Sequence, residues 1–269
     1  MLKVKDIITL CGSFLAISSI ISSIFSLLCG IDYWLTIAAM LIFFSMCTDT
    51  LDGYIARRFN QGGNEIGVQI DSLSDCISFV VAPAILMYCA YNGGLLLIPA
   101  GIFTVCGVLR LAWFNIEDTT DGYIGLVTPM SAAFLLTYVL GSYYYEQIMI
   151  VATDEVLGFY SFFSGYYIFL TNIWTVSILM VSLGILNLAD FLRYTKKVRK
   201  KRGLWRWYLL IAGISVFSII ILLNIAPIFP SLWIVIFIIA HTWSFLAFYG
   251  CIIYVGWGIY TWNKLKRGA

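Results

Sequence analysis

The chain is expected to fold as an all-α integral membrane protein, a polytopic helical bundle with both termini on the cytoplasmic side. Three observations carry that expectation. Hydrophobic residues make up 61% of the 269 residues and charged residues only 11%, against about a half and about a quarter in a soluble domain. The apolar stretches are long and unbroken, as a membrane-crossing helix of about 20 residues requires, and lack the alternation of a membrane β-barrel. All 16 basic residues fall on one side of the membrane once the spans are drawn. This composition excludes disorder, collagen, a disulfide scaffold and an ordinary soluble enzyme. A net charge of +2 speaks against a nucleic-acid partner.

Taken in order, eight spans are predicted, at about 6–28, 34–57, 68–91, 95–115, 126–150, 164–190, 207–226 and 231–261. Short turns separate them, such as Tyr91-Asn92-Gly93-Gly94 and the segment from Pro227 to Pro230. The first span reads as a retained helix, because similar helices follow it. With the N-terminus inside, Lys3, Lys5, Arg57, Arg58, Arg110, the run from Arg193 to Arg206, and Lys264, Lys266 and Arg267 are all cytoplasmic. The opposite face carries only Asp32, Glu146, Asp154 and Glu155. Residues 1–192 make a six-span catalytic core, 193–206 a basic cytoplasmic linker, and 207–269 a two-span C-terminal appendage. The linker fixes topology, with attraction to anionic lipid as a secondary effect. The seven cysteines form no C-x-x-C pair and read as small buried hydrophobes. His241, the single histidine, reads as an interhelical hydrogen-bonding residue.

The chemistry lies in four acids at the cytoplasmic ends of spans 2 and 3: Asp49, Asp52, Asp71 and Asp75. Each ionised side chain in a span is costly, and four together repel, so something cationic must neutralise them. At about 100° per residue, Asp49, Asp52, Gly53 and Ala56 share one stripe of span 2; Gly67, Asp71, Ser74, Asp75 and Ser78 share one stripe of span 3. Carboxylates converging from two helices suit hard divalent cations, Mg²⁺ or Mn²⁺. Gly53, Ala56 and Gly67 leave room beside them for a bulky ligand, and Arg57 can pair with phosphate. The pattern points to phosphoryl transfer on a lipid substrate. A cation pathway is the competing reading, but it would put the acids at the midplane and leaves the Gly/Ala/Arg spacing unexplained.

The run Asp49-x2-Asp52-Gly53-x2-Ala56-Arg57-x9-Gly67-x3-Asp71-x3-Asp75 resembles the signature of the CDP-alcohol phosphatidyltransferases, and all eight fixed positions match. The gap before Gly67 is one residue longer than the commonest form. The resemblance implies a six-helix core, transfer of a phosphatidyl-type group from a CDP-activated lipid to an alcohol, release of CMP, and a homodimer. It implies two divalent cations, one held by Asp49, Asp52 and Asp71, the other by Asp49, Asp71 and Asp75. Asp75 would also take the proton from the attacking hydroxyl. Gly53, Ala56, Arg57 and Gly67 would shape the cytidine-diphosphate pocket, with Asn64 a further candidate for the diphosphate.

The flanking text is similar to the phosphatidylserine synthase branch of that family. It comprises the run from Asp71 to Ala84, Arg110-Leu111-Ala112-Trp113-Phe114-Asn115, and Tyr123 to Pro129 with Val127 where Pro is usual. In the opening Asp6-Ile7-Ile8-Thr9-Leu10, Gly12 follows where Asn is common. L-Serine is therefore the expected acceptor, with glycerol phosphate or inositol phosphate as alternatives. Those acceptors bring a phosphate and call for a richer basic pocket, whereas Arg110 is the single basic residue of spans 3–5. Arg110 either grips the serine carboxylate or snorkels to the interface. Ser78 and Asn115 either touch serine or bond between helices. Whether the lipid tail is ester- or ether-linked stays open.

Overall fold

A computed structural model describes residues 3–59, 65–91, 93–116, 122–151, 171–195 and 232–267. The start of the sixth predicted span, the seventh span, Asn64 and most of the basic linker lie outside those residues.

The described chain is almost entirely helical. Helix α1 runs Val4–Cys29 and α2 Tyr33–Arg58. The third span is continuous but built in three pieces: α3 (Glu65–Cys76), a π-helical segment (Ile77–Val81) and α4 (Ala82–Tyr91). A short 3₁₀ turn (Gly94–Leu96) leads into α5 (Leu97–Ile116). Then come α6 (Thr128–Val151), α7 (Ile173–Asn187) and α8 (Leu232–Arg267). Among the described residues, five helices are long and apolar enough to cross a membrane: Val4–Cys29, Tyr33–Ala56, Ile66–Tyr91, Gly94–Ile116 and Trp233–Arg267. The protein is thus an all-α polytopic membrane protein.

Two helices fall outside that group, for different reasons. In α7 the described helix is only 15 residues long. In α6 the cause is position. It buries Phe134, Leu135, Tyr138, Val139, Tyr144 and Ile148 against other helices. A helix surrounded by protein need not be lipophilic, so α6 buries Thr128, Ser131, Thr137, Tyr138, Tyr144 and Tyr145, which a lipid-facing surface disfavours.

Helix α1 shows the opposite division of faces. Its buried residues are small: Thr9, Gly12, Ala16, Ser19, Ser23 and Ser26, three or four apart. Small residues let backbones approach closely. The Ser19 hydroxyl accordingly donates to the Ala38 carbonyl at 2.8 Å, and the Ser45 hydroxyl to the Gly12 carbonyl at 3.0 Å. Its outer face, Phe14, Ile21 and Leu28, is exposed and suited to lipid. Three cysteines share that exposure. Cys89 and Cys251 are buried as expected, but Cys11, Cys29 and Cys47 lie on the outer surface. Hydrocarbon accepts a thiol as readily as a core does, so burial is not required there.

The π segment has a local cause. Pro83 has no N–H, and its ring crowds the carbonyl one turn back. The helix widens just before it, and the Ala82 N–H reaches the Ile77 carbonyl, five residues away.

A feature absent from the expectation is a two-stranded antiparallel ladder, β1 (Gly122–Ile124) with β2 (Arg193–Thr195), pairing Tyr123 with Tyr194. It ties the loop before α6 to the segment after α7. It also docks on α8: the Tyr194 ring stacks on Tyr254 with centroids 4.5 Å apart and planes 14° from parallel. Burial, with Tyr254 alongside, pushes the Tyr194 phenol above its ordinary range, so it stays neutral. Along α6, α8 packs Phe248 between Phe134 and Tyr138. His241 Nδ1 lies 3.1 Å from the Gly141 carbonyl, the interhelical bond expected of it.

Candidate active site

Asp49 and Asp52 occupy the last turns of α2, and Asp71 and Asp75 lie in α3. The two helices run in opposite directions about a short connection, so their acidic stripes meet. One carboxylate oxygen from each of Asp49, Asp52 and Asp71 lies within 4.8 Å of the other two. Asp75 stands within electrostatic reach of all three. Two oxygens on one cation, each about 2.0–2.6 Å from it, are at most about 5 Å apart. The donor set is all oxygen and hard. These residues therefore fit a divalent cation, and the cluster could hold one.

Helix α1 closes the cluster from the third side. The Thr9 hydroxyl donates to Asp52 Oδ2 at 2.6 Å, and Asp52 is only 6% exposed. The Ser74 hydroxyl donates to the Thr9 carbonyl at 3.1 Å, and Ser13 donates to Ser74 at 2.8 Å. Lys5 faces Asp52 and Asp71, and Asp6, itself buried, lies 3.8 Å from the Lys5 ammonium. Among the described side chains, Lys5 is the basic group that faces these acids. Thr9, Ser13, Lys5 and Asp6 were not among the expected site residues. Their small-polar spacing is visible in the sequence, but the helix it faces is not. Gly12 also packs closely: a Cβ there would sit 2.6 Å from the Thr48 hydroxyl, so any larger residue requires Thr48 to shift.

The remaining candidates divide. Gly53 and Ala56 are half-buried and Gly67 is buried, on the helices that carry the acids. The Arg57 backbone is helical; its side chain, like Asn64, lies outside what is described. Ser78 is buried and its hydroxyl is 2.8 Å from that of Ser45, an interhelical bond. Asn115, at the exposed end of α5, exchanges hydrogen bonds of 2.8 and 3.0 Å with Ser72, next to Asp71. Arg110 does not snorkel. It is 4% exposed, and its guanidinium lies over the Phe114 ring, 5.5 Å from the centroid.

Contacts between α5 and the third span set Arg110's height. Asn115 meets Ser72, and Gly107 fits against Val80 so closely that a Cβ would lie 2.7 Å from both Val80 methyls. In that antiparallel register Arg110 stands level with Ile77, roughly 3 Å along the axis from Asp75.

Fold and site together define a membrane-embedded helical protein with a carboxylate centre able to take a divalent cation. A family model described as CDP-alcohol phosphatidyltransferase matches residues 3–160, more than half of the sequence, and the chain belongs to that enzyme family. The CDP-diacylglycerol–serine O-phosphatidyltransferase of Methanocaldococcus jannaschii is 35% identical over 153 residues, 56% of this chain and 71% of that protein. The archaetidylserine synthase of Methanothermobacter thermautotrophicus is 35% identical over 144 residues, 50% of this chain and 62% of its own length. A CDP-diacylglycerol–serine O-phosphatidyltransferase of Saccharomyces cerevisiae is 32% identical over 146 residues, 50% of this chain and 52% of its own length.

Proposed function

We propose that the protein transfers a phosphatidyl or archaetidyl group from a CDP-activated lipid to the hydroxyl of L-serine, releasing CMP. The observation that carries this reading is the convergence of Asp49, Asp52 and Asp71, with Asp75 beside them, inside a motif that spaces small residues around the acids. The names of the relatives support serine as the acceptor. Asp49, Asp52 and Asp71 would hold one divalent cation, and Asp49, Asp71 and Asp75 a second, Mg²⁺ or Mn²⁺. When bound, such ions neutralise the diphosphate and ease deprotonation of a nearby hydroxyl.

The chain's own residues do the rest. Gly53, Ala56 and Gly67 leave space for the cytidine diphosphate, and Arg57 and Asn64 supply polar contacts to it. Asp75 accepts the proton of the serine hydroxyl. The serine oxygen then bonds to the lipid-bearing phosphorus while the bond from that phosphorus to CMP breaks, and CMP leaves with the bridging oxygen. The acceptor is itself the nucleophile, so the displacement is single, in line, and inverts the phosphorus. Arg110 holds the serine carboxylate, and Asn115 and Ser78 keep α5 and α2 in register with the third span. The basic residues on one side argue for an active site at the cytoplasmic face, and we assign the working form as a homodimer.

The test is direct. Purified protein is given CDP-diacylglycerol or CDP-archaeol with L-serine, glycerol phosphate or inositol phosphate, and CMP and lipid product are followed by mass spectrometry. Serine product is expected, silent in EDTA and restored by Mg²⁺ or Mn²⁺. A full rate in EDTA, or faster turnover of the phosphate-bearing acceptors, overturns the reading.

A further inference from the structure

Asn187 ends α7 and is completely buried, yet among the described residues neither its amide nitrogen nor its amide oxygen has a hydrogen-bond partner. A buried amide with both ends unmet is costly to keep. Its surroundings are built with care. Helix α7 is pressed on α5 at Gly184, where a Cβ would sit 3.2 Å from the Phe103 Cα. The loop before α6 is laid along the end of α7 by the Leu126 N–H on the Leu186 carbonyl and the Gly125 N–H on the Leu192 carbonyl, both 2.9 Å. Gly125 has φ +79°. A Cβ there would collide with the Asn187 carbonyl oxygen and sit 3.4 Å from Arg110 Nε. A left-handed glycine thus lets the backbone pass between the Asn187 main-chain carbonyl and the Arg110 guanidinium, so the residue that carries the unmet amide is a neighbour of the buried guanidinium across Gly125.

We propose that Asn187 is an acceptor-recognition residue: with Arg110 it forms a pocket for a small zwitterion, Arg110 taking the carboxylate and Asn187 the ammonium through its amide oxygen. This rests on the serine-transfer reading above. The two groups match the two charges of an α-amino acid. Neither requires a phosphate on the acceptor. Arg110 stands nearly level with Asp75 along the bundle axis, the height at which a bound amino acid can present its hydroxyl to the carboxylate cluster. The unmet amide is then a stability cost that recognition repays, as binding sites commonly show.

The experiment uses the full chain in detergent, with CMP release as the readout and three acceptors: L-serine, 3-hydroxypropionate, which lacks the ammonium, and ethanolamine, which lacks the carboxylate. Wild type should prefer serine to both. Asn187→Leu, close in shape and apolar, should raise the KM for serine about ten- to a hundredfold, the range of a charge-assisted hydrogen bond, and leave the KM for CDP-lipid within about twofold. It should also shrink the preference over 3-hydroxypropionate more than that over ethanolamine; Arg110→Gln should do the reverse. The melting temperature of Asn187→Leu should not fall, because an unmet amide has been removed. Should that variant not accumulate, Asn187→Ser is expected to shift the same ratios in the same direction. An unchanged serine KM in a serine-using protein overturns the inference and leaves the serine reading intact. So does a fall in melting temperature with both KM values moving together, which marks a structural role. If wild type uses another alcohol but not serine, the serine reading itself falls, and this inference with it.

Discussion

Asp52 and Thr9 are 43 residues apart in sequence and 2.6 Å apart in space. That bond shows how the carboxylates are held in place. A ligating carboxylate needs a second contact to fix its rotamer, and losing such a contact typically costs about 10–100-fold in metal affinity or activity. Thr9→Val keeps the shape and removes the donor. It should raise the Mg²⁺ concentration for half-maximal activity by about tenfold, read from a metal titration; an unchanged titration would mean that Asp52 orients itself. The acids make a second, less obvious prediction. The three carboxylate oxygens lie within 4.8 Å of one another, and two like charges at that limit repel by roughly 3 kcal/mol at an effective dielectric near 20. Asp49→Asn should abolish transfer yet raise the melting temperature in EDTA. A variant that melts lower in EDTA would show that Asp49 serves the fold instead.

At the scale of the element, the third span is informative because it is not regular. Pro83 forces the π segment, which inserts extra backbone between Asp75 and the buried Phe79 and Val80. One residue of register corresponds to about 100° of rotation. Pro83→Ala restores the missing donor and lets the helix close to a regular α form. The acidic stripe should then turn away from α2, and CMP release should fall at least about tenfold with no loss in melting temperature; full activity would show that the π segment is incidental. Glycines in α5 give a paired prediction. Gly107→Val drives methyls into Val80 and should destabilise by about 1–3 kcal/mol. Gly101→Ala enters open space and should be neutral or stabilising. Equal melting temperatures for the two variants would contradict the packing described.

At the scale of the whole molecule, the last helix reaches the proposed acceptor pocket through a chain of contacts. Tyr194 on β2 stacks on Tyr254, and a Cβ at Gly258 would lie 2.6 Å from the Tyr194 ring and hydroxyl. The same strand pairs with β1, which leads directly into Gly125 beside Arg110 and Asn187. Gly258→Leu should therefore undock β2, lower the melting temperature and weaken serine use, although residue 258 lies far from every acid in the sequence. A lowered melting temperature with unaltered serine kinetics would show that α8 supports the fold without reaching the acceptor pocket.

How much of this was legible beforehand follows from the range of the forces involved. Helix class, membrane residence and the acidic stripes are local: they depend on hydrophobic length and on a fixed angle per residue, both carried by contiguous sequence. Asp49, Asp52, Asp71 and Asp75 could be paired on paper because a short connection joins their helices and leaves few ways for the stripes to meet. The fate of Arg110 could not be read, since snorkelling and burial differ only in what α7 and the Gly125 loop place around it. Asn187 gave no signal at all, because an asparagine at a helix end is unremarkable until both ends of its amide are seen to be buried and unmet. Likewise the enclosure of α6, with 14 of its 24 residues buried, depends on helices that pack around it from elsewhere in the chain. Sequence by itself determined the helical membrane class and which acids share a face; tertiary structure decided which polar groups are buried together, because burial is set by neighbours that come from elsewhere in the chain.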